Sequence, residues 1–155
     1  MALRFSTGLR DLFAAVLKDT FEDCIIDVYD GAQPATPDSP PTGTKIGSIT
    51  ESGGSFSHGS ATNGLEWDVD TGSGTASIKS GESWVFTCST SGTARYARVK
   101  TNATDADGSS TTQARMDMSI GIGSGNIRMP RVDYTSGETA NVTSLDIPIA
   151  TQGAN

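Results

Sequence analysis

The sequence predicts a mainly β protein, an antiparallel β-sandwich of jelly-roll-like type with one N-terminal amphipathic α-helix. Hydrophobic and polar residues alternate in short runs, and clusters of Gly, Ser, Thr, Asp and Asn separate these runs. The chain holds 18 glycines, and only 6% of its residues are aromatic. Alternation with period two is typical of half-buried strands, and small residues between them suit tight turns, so a two-sheet β fold is favoured over a helical bundle.

A chain of 155 residues is long enough for one domain with one core. We therefore expect a single domain over 1–155. Its parts are a helix at 6–19, a Pro-rich loop or arm at 31–43 and a β-sandwich at 44–150.

The helix is predicted from apolar residues that recur at i, i+3, i+4, i+7 and i+8. They are Leu9, Leu12, Phe13, Val16 and Leu17. Ser6 or Thr7 is placed to cap the first turn. A helix this short is marginal alone, so its apolar stripe must pack either on the protein's own sheet or on a neighbouring subunit. In the second case Leu9, Leu12, Phe13 and Val16 are the interface candidates.

Segment 24–29 is predicted to be a strand that is buried on both faces, because apolar residues occur at both odd and even positions. Segment 31–43 contains four prolines, which cannot donate to a β-ladder, so it is expected to be an extended surface loop. That loop is either a linker or an arm that touches neighbours. The interface candidates of this region are Tyr29, Gln33, Pro34 and Pro41.

Further strands are predicted from alternation at 45–50, 65–69, 84–88, 95–100, 114–122 and 145–149, the last containing Leu145, Ile147 and Ile149. Trp67 and Trp84 fall on apolar strand faces and are expected in the core. Arg95, Arg98 and Lys100 share one strand, and we interpret them as a solvated strand face or as partners of a protein interface.

The charge of −7 argues against a nucleic-acid or anionic-membrane partner, since phosphate binding depends on clustered Lys and Arg. The sequence shows no apolar stretch long enough for a membrane span and no secretory signal, so we expect the protein to stay in the cell that makes it. Cys24 and Cys88 are therefore expected to be free, buried thiols rather than a disulfide.

No set of residues predicts an enzyme, a cofactor or a metal site. His58 is the single histidine and lies in a Ser-rich segment typical of a loop. Glu66, Asp68 and Asp70 share a strand face, and paired carboxylates are what a glycosidase needs, but a half-buried strand produces the same alternation. Segment 105–108 is read as a hairpin turn rather than a calcium loop.

The sequences CIIDVYDGAQP at 24–34 and TGTKIGSIT at 42–50 enclose the Pro-rich loop. This arrangement resembles small structural virion proteins of tailed bacteriophages, over roughly residues 5 to 50. The resemblance implies a protein that decorates or cements the capsid, is part of the virion and is assembled in the host cytoplasm. Its implied partners are the major capsid protein or other virion proteins, and a homo-oligomer is expected. The alternative is a tail or connector component, or a receptor-binding tip domain.

Overall fold

The computed structural model describes residues 5–145 and 147–148. This part of the chain is mainly β, with one helix and a curled sheet of eight strands. The helix α1 spans Thr7–Thr20. The strands are β1 Ile25–Tyr29, β2 Lys45–Glu51, β3 Trp67–Asp70, β4 Thr75–Ile78, β5 Trp84–Cys88, β6 Gly92–Thr93, β7 Tyr96–Lys100, β8 Arg115–Gly121, β9 Ile127–Arg128, β10 Asp133–Tyr134, β11 Thr139–Asn141, β12 Ser144–Leu145 and β13 Ile147–Pro148.

The large sheet has the strand order β11-β5-β2-β1-β7-β8-β9-β12. Its pairs are antiparallel except for β8 and β9, which run parallel. A three-stranded sheet has the order β13-β4-β3, and β10 pairs with β6. The mainly β class and the N-terminal helix are thus confirmed. The predicted strand at 145–149 is instead two short strands in different sheets, and Ile149 lies outside the described residues.

The core lies against one face of the large sheet. Ile26 of β1 is flanked by Ile49 of β2 and Val99 of β7, and all three side chains are buried. The three-stranded sheet contributes Trp67, whose ring meets that of Trp84 edge-on at 4.8 Å between centroids. Both tryptophans are buried, as predicted. Such aromatic pairs add stability beyond the area they bury, so this contact joins the two sheets firmly.

The two cysteines are free and buried, as predicted. Cys24 lies beside Trp67, whose Nε1 donates to the Cys24 Sγ at 3.4 Å. Burial raises the pKa of the Cys24 thiol to about 12, because a thiolate would lose its solvation there. The thiol of Cys88 also has a raised pKa, again mainly through burial. Both residues therefore act as small core side chains rather than nucleophiles.

The other face of the large sheet is polar, and segment 31–43 lies over part of it. Arg98 and Lys100 of β7 point to this face and are buried, with exposed fractions of 0% and 5%. The interpretation of these two residues as a solvated face is wrong, whereas Arg95 is indeed exposed. The physical reason is that protein groups replace water around both side chains. Arg98 donates to the Ser39 carbonyl and pairs with Asp117, and Lys100 pairs with Asp27 and Asp107.

Candidate interaction surface

Helix α1 begins where the Ser6 side chain accepts a hydrogen bond from the backbone N–H of Leu9 at 3.3 Å. This cap satisfies one of the donors that the first turn leaves free. The helix ends at Thr20, with Lys18 in the last turn, where a positive charge suits the helix dipole. The observed range Thr7–Thr20 differs from the predicted 6–19 by one residue at each end.

The helix packs on the β3–β4 hairpin through a narrow face. Ala14 is completely buried there, and Leu17 is half-buried against the core. The Arg10 Nη1 donates to the Ser73 carbonyl at 3.1 Å. The Asp11 carboxylate accepts from the backbone N–H of Gly72 at 3.0 Å. Arg10 and Asp11 thus form hydrogen bonds with backbone groups of the hairpin turn. The small side chain of Ala14 allows the helix to approach the hairpin closely.

The apolar stripe predicted for the interface lies on a different side of the helix and faces solvent. The exposed fractions are 38% for Leu9, 63% for Leu12, 41% for Phe13 and 64% for Val16. Phe13 meets only the edge of the Phe5 ring among aromatic neighbours in the described chain, with 5.6 Å between centroids. Of the two predicted ways to pack the helix, docking on the protein's own sheet does occur, but through Ala14 and Leu17. Within the described residues, Leu12 and Val16 are mostly exposed, whereas Leu9 and Phe13 are partly covered.

The four stripe residues are uncharged, and the exposed Asp19 continues the same face three residues after Val16. Gly8 and Ala15, which are seven residues apart, are small and exposed along one side of the stripe. Arg10 and Asp11 are engaged at the hairpin, and the remaining helix charges, Lys18 and Asp19, lie at the C-terminal end. A contiguous apolar surface on a monomer often marks an interaction site, whereas single exposed apolar residues do not.

The Pro-rich segment 31–43 is neither a free arm nor a simple linker. Its Ser39 carbonyl accepts from Arg98 Nη1 at 2.9 Å, and its Pro37 carbonyl accepts from Arg115 Nη1 at 3.3 Å. The backbone N–H of Thr42 donates to the Tyr96 hydroxyl at 2.9 Å. The loop is therefore held against the polar face of the sheet by side chains of β7 and β8.

The position of the loop determines which of the interface candidates near it are exposed. Tyr29 is only 3% exposed, and its ring stacks on Tyr96 with 5.2 Å between centroids. Tyr29 therefore offers no contact surface to a partner, because its side chain is enclosed within the protein. Gln33 is exposed, whereas Pro34 and Pro41 are half-buried. These three residues remain accessible at the outer side of the loop.

Residues at the two ends of the Pro-rich segment close the neck of this loop. The backbone N–H of Asp30 donates to the Thr44 carbonyl at 3.1 Å, and the Asp30 Oδ1 accepts from the Thr44 N–H at 2.6 Å. Gly31 and Gly43 lie back to back between them. A Cβ atom on Gly43 would come within 2.3 Å of the Gly31 nitrogen, so only glycine fits. The sequence at the two ends of the segment thus encodes a loop closure.

Buried ion pairs occupy the sheet face beneath the loop. The Asp27 carboxylate contacts Lys45 Nζ at 2.7 Å and Lys100 Nζ at 2.6 Å. Burial alone would raise the pKa of Asp27, but the two ammonium groups outweigh it and the pKa is lowered. Hydrogen bonds from Arg115 likewise hold the pKa of Asp105 below its usual value. Charges that are neutralised in this way serve structure rather than proton transfer.

The residues considered for chemistry do not form a common site. Glu66 pairs with Lys79, the Asp68 carboxylate accepts from the Ser80 N–H at 2.7 Å, and that of Asp70 accepts from the Ser73 hydroxyl at 2.7 Å. Each carboxylate is thus bound to its own neighbour near the strand surface. His58 is exposed, with its Nδ1 3.3 Å from the Asn102 carbonyl. Within residues 5–145 and 147–148, no three His, Cys, Asp or Glu side chains are grouped to hold a metal ion.

An open groove of about 390 Å³ lies on the part of the polar face that the loop leaves uncovered. Its lining includes the hydroxyl residues Ser48, Thr50 and Thr87 and the aromatic residue Phe56. The Thr87 hydroxyl is buried and has no hydrogen-bond partner in the described structure. The groove is a concave surface that a small polar ligand could enter.

Comparisons of the chain with protein-family models, with curated proteins and with solved structures found no match. In the part of the chain that the structure describes, no helix has both the length and the apolar character needed to cross a membrane.

Proposed function

We propose that the protein is a structural virion protein of a tailed phage, which decorates or cements the capsid through subunit interfaces. The observation that carries the proposal is the uncharged apolar stripe on α1, formed by Leu9, Leu12, Phe13 and Val16. The helix is already docked through Ala14, so these residues are not needed to attach it. A protein that leaves such a stripe exposed is suited to assembly rather than to chemistry.

The resemblance at 24–50 supplies the biological setting of the proposal. Its residues Asp30, Gly31, Gly43 and Thr44 close the loop on the sheet. They therefore support an architecture like that of the virion proteins that the segment resembles. The proposed contact surface itself lies on α1. The proposed architecture is a jelly-roll-like sandwich, which is supported by the way Trp67 of the small sheet packs on Trp84 of the large one.

The proposed partners are the major capsid protein or other virion proteins, and the mechanism is purely interfacial. Stable protein interfaces bury about 1,200 Å² or more in total. The exposed parts of Gln33, Pro34 and Pro41 are available to extend a contact beyond the helix. Many copies bound at capsomer junctions then stabilise the shell by the sum of such contacts.

The direct test is co-sedimentation of the purified protein with empty phage heads that lack it, in parallel with isolated tails. The proposal predicts saturable binding to heads in many copies, visible by gel densitometry and electron microscopy. Binding of a few copies at one vertex, or binding to tails alone, would contradict the decoration role. Bovine serum albumin at equal concentration serves as the control for trapping in the pellet.

A second candidate function is a tail or connector component, or a receptor-binding tip domain. The groove beside Phe56 favours the receptor-binding form, because hydroxyl-lined grooves with an aromatic margin suit sugars, which combine polar edges with apolar faces. Titration with host-cell surface glycans, monitored by NMR shifts of residues around Thr87, tests it. Saturable shifts confined to the groove would favour this function over decoration.

A further inference from the structure

We infer that the groove on the polar face binds a neutral sugar unit, which donates hydrogen bonds to hydroxyl oxygens of the protein. The inference rests on the second candidate function, receptor binding, and does not depend on capsid decoration. At about 390 Å³ the groove falls within the size range of small-ligand sites. Its hydrogen-bonding groups and its charge then select the class of ligand.

The hydroxyl groups that line the groove have largely used their protons within the protein. The Ser48 hydroxyl donates to Asp27 Oδ1 at 2.7 Å. The hydroxyls of Thr50 and Ser89 donate to backbone carbonyls at 2.8 Å and 3.3 Å. A hydroxyl group has one proton and two lone pairs, so each of these oxygens can still accept a hydrogen bond but no longer donates one. A ligand that binds here must therefore supply the donors.

The charge of the groove is balanced. Lys45 is the one charged residue among the described residues that line it, and its Nζ lies 2.7 Å from Asp27 Oδ1. Asp27 also pairs with Lys100, which in turn pairs with Asp107, so two ammonium and two carboxylate groups cancel. An anionic ligand gains no net attraction from this cluster and is repelled by the protein's charge of −7. A cationic ligand would meet the Lys45 ammonium, so a neutral ligand is favoured.

Apolar side chains complete the lining and distinguish a sugar from other neutral donors. Ile25 and Phe56 both line the groove. Phe56 is half-buried, and its ring is nearly perpendicular to that of His58, with 5.1 Å between the centroids. Small-ligand sites combine apolar walls with a few placed polar groups. A sugar matches this combination, because its hydroxyl groups donate at the edges of the ring while its C–H faces pack on apolar side chains.

NMR titration of the full chain tests the inference. The neutral probes are the methyl glycosides of glucose, galactose, mannose and N-acetylglucosamine, and the anionic probes are glucuronic acid and glucose 6-phosphate. Ser48→Ala and Ser89→Ala each remove one acceptor from the groove. Ser57→Ala is the control, because it removes an exposed hydroxyl that does not line the groove, whereas Ser89 is exposed and does. Thermal unfolding verifies that each variant is folded, and Ser89→Ala keeps the test valid if Ser48→Ala, which loses its bond to Asp27, is not.

The inference predicts saturable shifts of the groove amides with at least one neutral glycoside. The loss of one hydrogen bond should weaken binding about fivefold in Ser48→Ala and Ser89→Ala, whereas Ser57→Ala should bind like the wild type.

Three results would overturn the inference, and they bear differently on function. Groove binding of the anionic probes alone would overturn it while receptor binding stands. Binding of a neutral glycoside that neither groove variant weakens would show that these hydroxyl oxygens are not its acceptors. If no probe shifts the groove amides up to high millimolar concentration, the inference and the receptor-binding function both fail. The decoration role is measured separately by co-sedimentation with heads and is unaffected by any of these results.

Discussion

Arg98 and Asp117 form a two-point ion pair across strands β7 and β8. The Arg98 Nε lies 2.7 Å from Asp117 Oδ1, and its Nη2 lies 2.9 Å from Oδ2. Neither side chain is more than 1% exposed. The remaining Arg98 nitrogen, Nη1, donates to the Ser39 carbonyl of the Pro-rich loop. One guanidinium group therefore joins two central strands to the loop that covers them.

Asp117→Asn is expected to destabilise the protein by about 3–5 kcal/mol, because it leaves the Arg98 guanidinium buried without a counter-charge. Urea unfolding at neutral pH measures the change in free energy. Asp19→Asn, at an exposed helix position, is the control and should change stability by less than about 0.5 kcal/mol. A cost for Asp117→Asn as small as that of the control would contradict the burial of this pair.

Stability is expected to fall in acid because of Asp27 and Asp105. Both have a lowered pKa in the folded protein, so the unfolded chain binds more protons than the folded one as the pH falls. Their stabilising contribution is complete above the ordinary value of 3.8 and is lost as the pH falls below it, through the lower folded pKa. Urea titrations between about pH 6 and pH 2.5 measure how steeply the free energy of unfolding falls with pH.

Asp105→Asn separates the two contributions to this acid sensitivity. It removes one titrating group with a lowered pKa, so the fall in stability below pH 3.8 should be shallower than in the wild type, whatever the loss at neutral pH. Asp19→Asn again serves as the control. An equal slope in wild type and Asp105→Asn would show that the Arg115 contact does not lower the pKa of this carboxyl.

The sequence predicted the elements better than it predicted their surroundings. The helix and the central strands follow from periodicity, which records which side chains are apolar and in what order. Periodicity does not distinguish water from polar groups of the protein. Arg98 and Lys100 therefore look like a solvated face, although Arg98 contacts segment 31–43 and Lys100 pairs with Asp27 and Asp107. Periodicity also does not show which of two apolar helix faces is used. Ala14 and Leu17 dock because the close approach at the hairpin favours a small residue, and the larger Leu12 is left outside.

Short strands such as β4 and β11 were not predicted, because two to four residues carry too little alternation to stand out from turns. Tyr29 was predicted at an interface because it lies beside the Pro-rich segment, a candidate contact element. Its stacking on Tyr96 depends on strand register across β1 and β7, which a single chain segment does not encode.

Gly43→Ala is expected to destabilise the protein by more than about 2 kcal/mol. Its φ of +75° disfavours a side chain, and the new Cβ would lie 2.3 Å from the Gly31 nitrogen, which is backbone and has little freedom to move. Thermal and urea unfolding measure the loss. Gly108→Ala, with no heavy atom within 4 Å of the new Cβ, is the matched control and should be nearly neutral. Equal stability of the two variants would contradict the tight neck of the loop.

The orientation of α1 is testable without any partner, because it predicts opposite effects at neighbouring positions. Leu12→Ser removes a side chain that is 63% exposed, so it should change the free energy of unfolding by less than about 1 kcal/mol. Ala14→Leu adds volume at a position with no exposure and should cost about 1–3 kcal/mol through overpacking on the hairpin, although leucine is itself a good helix former.

Urea unfolding of both variants, with circular dichroism at 222 nm as the readout of backbone structure, compares them directly. Deleting residues 1–20 is a poorer test, because it also uncovers the hairpin surface that Ala14 and Arg10 occupy. A large loss for Leu12→Ser with none for Ala14→Leu would mean that the helix packs the other way round. The stripe would then belong to the core, and the assembly role would lose the surface on which it depends.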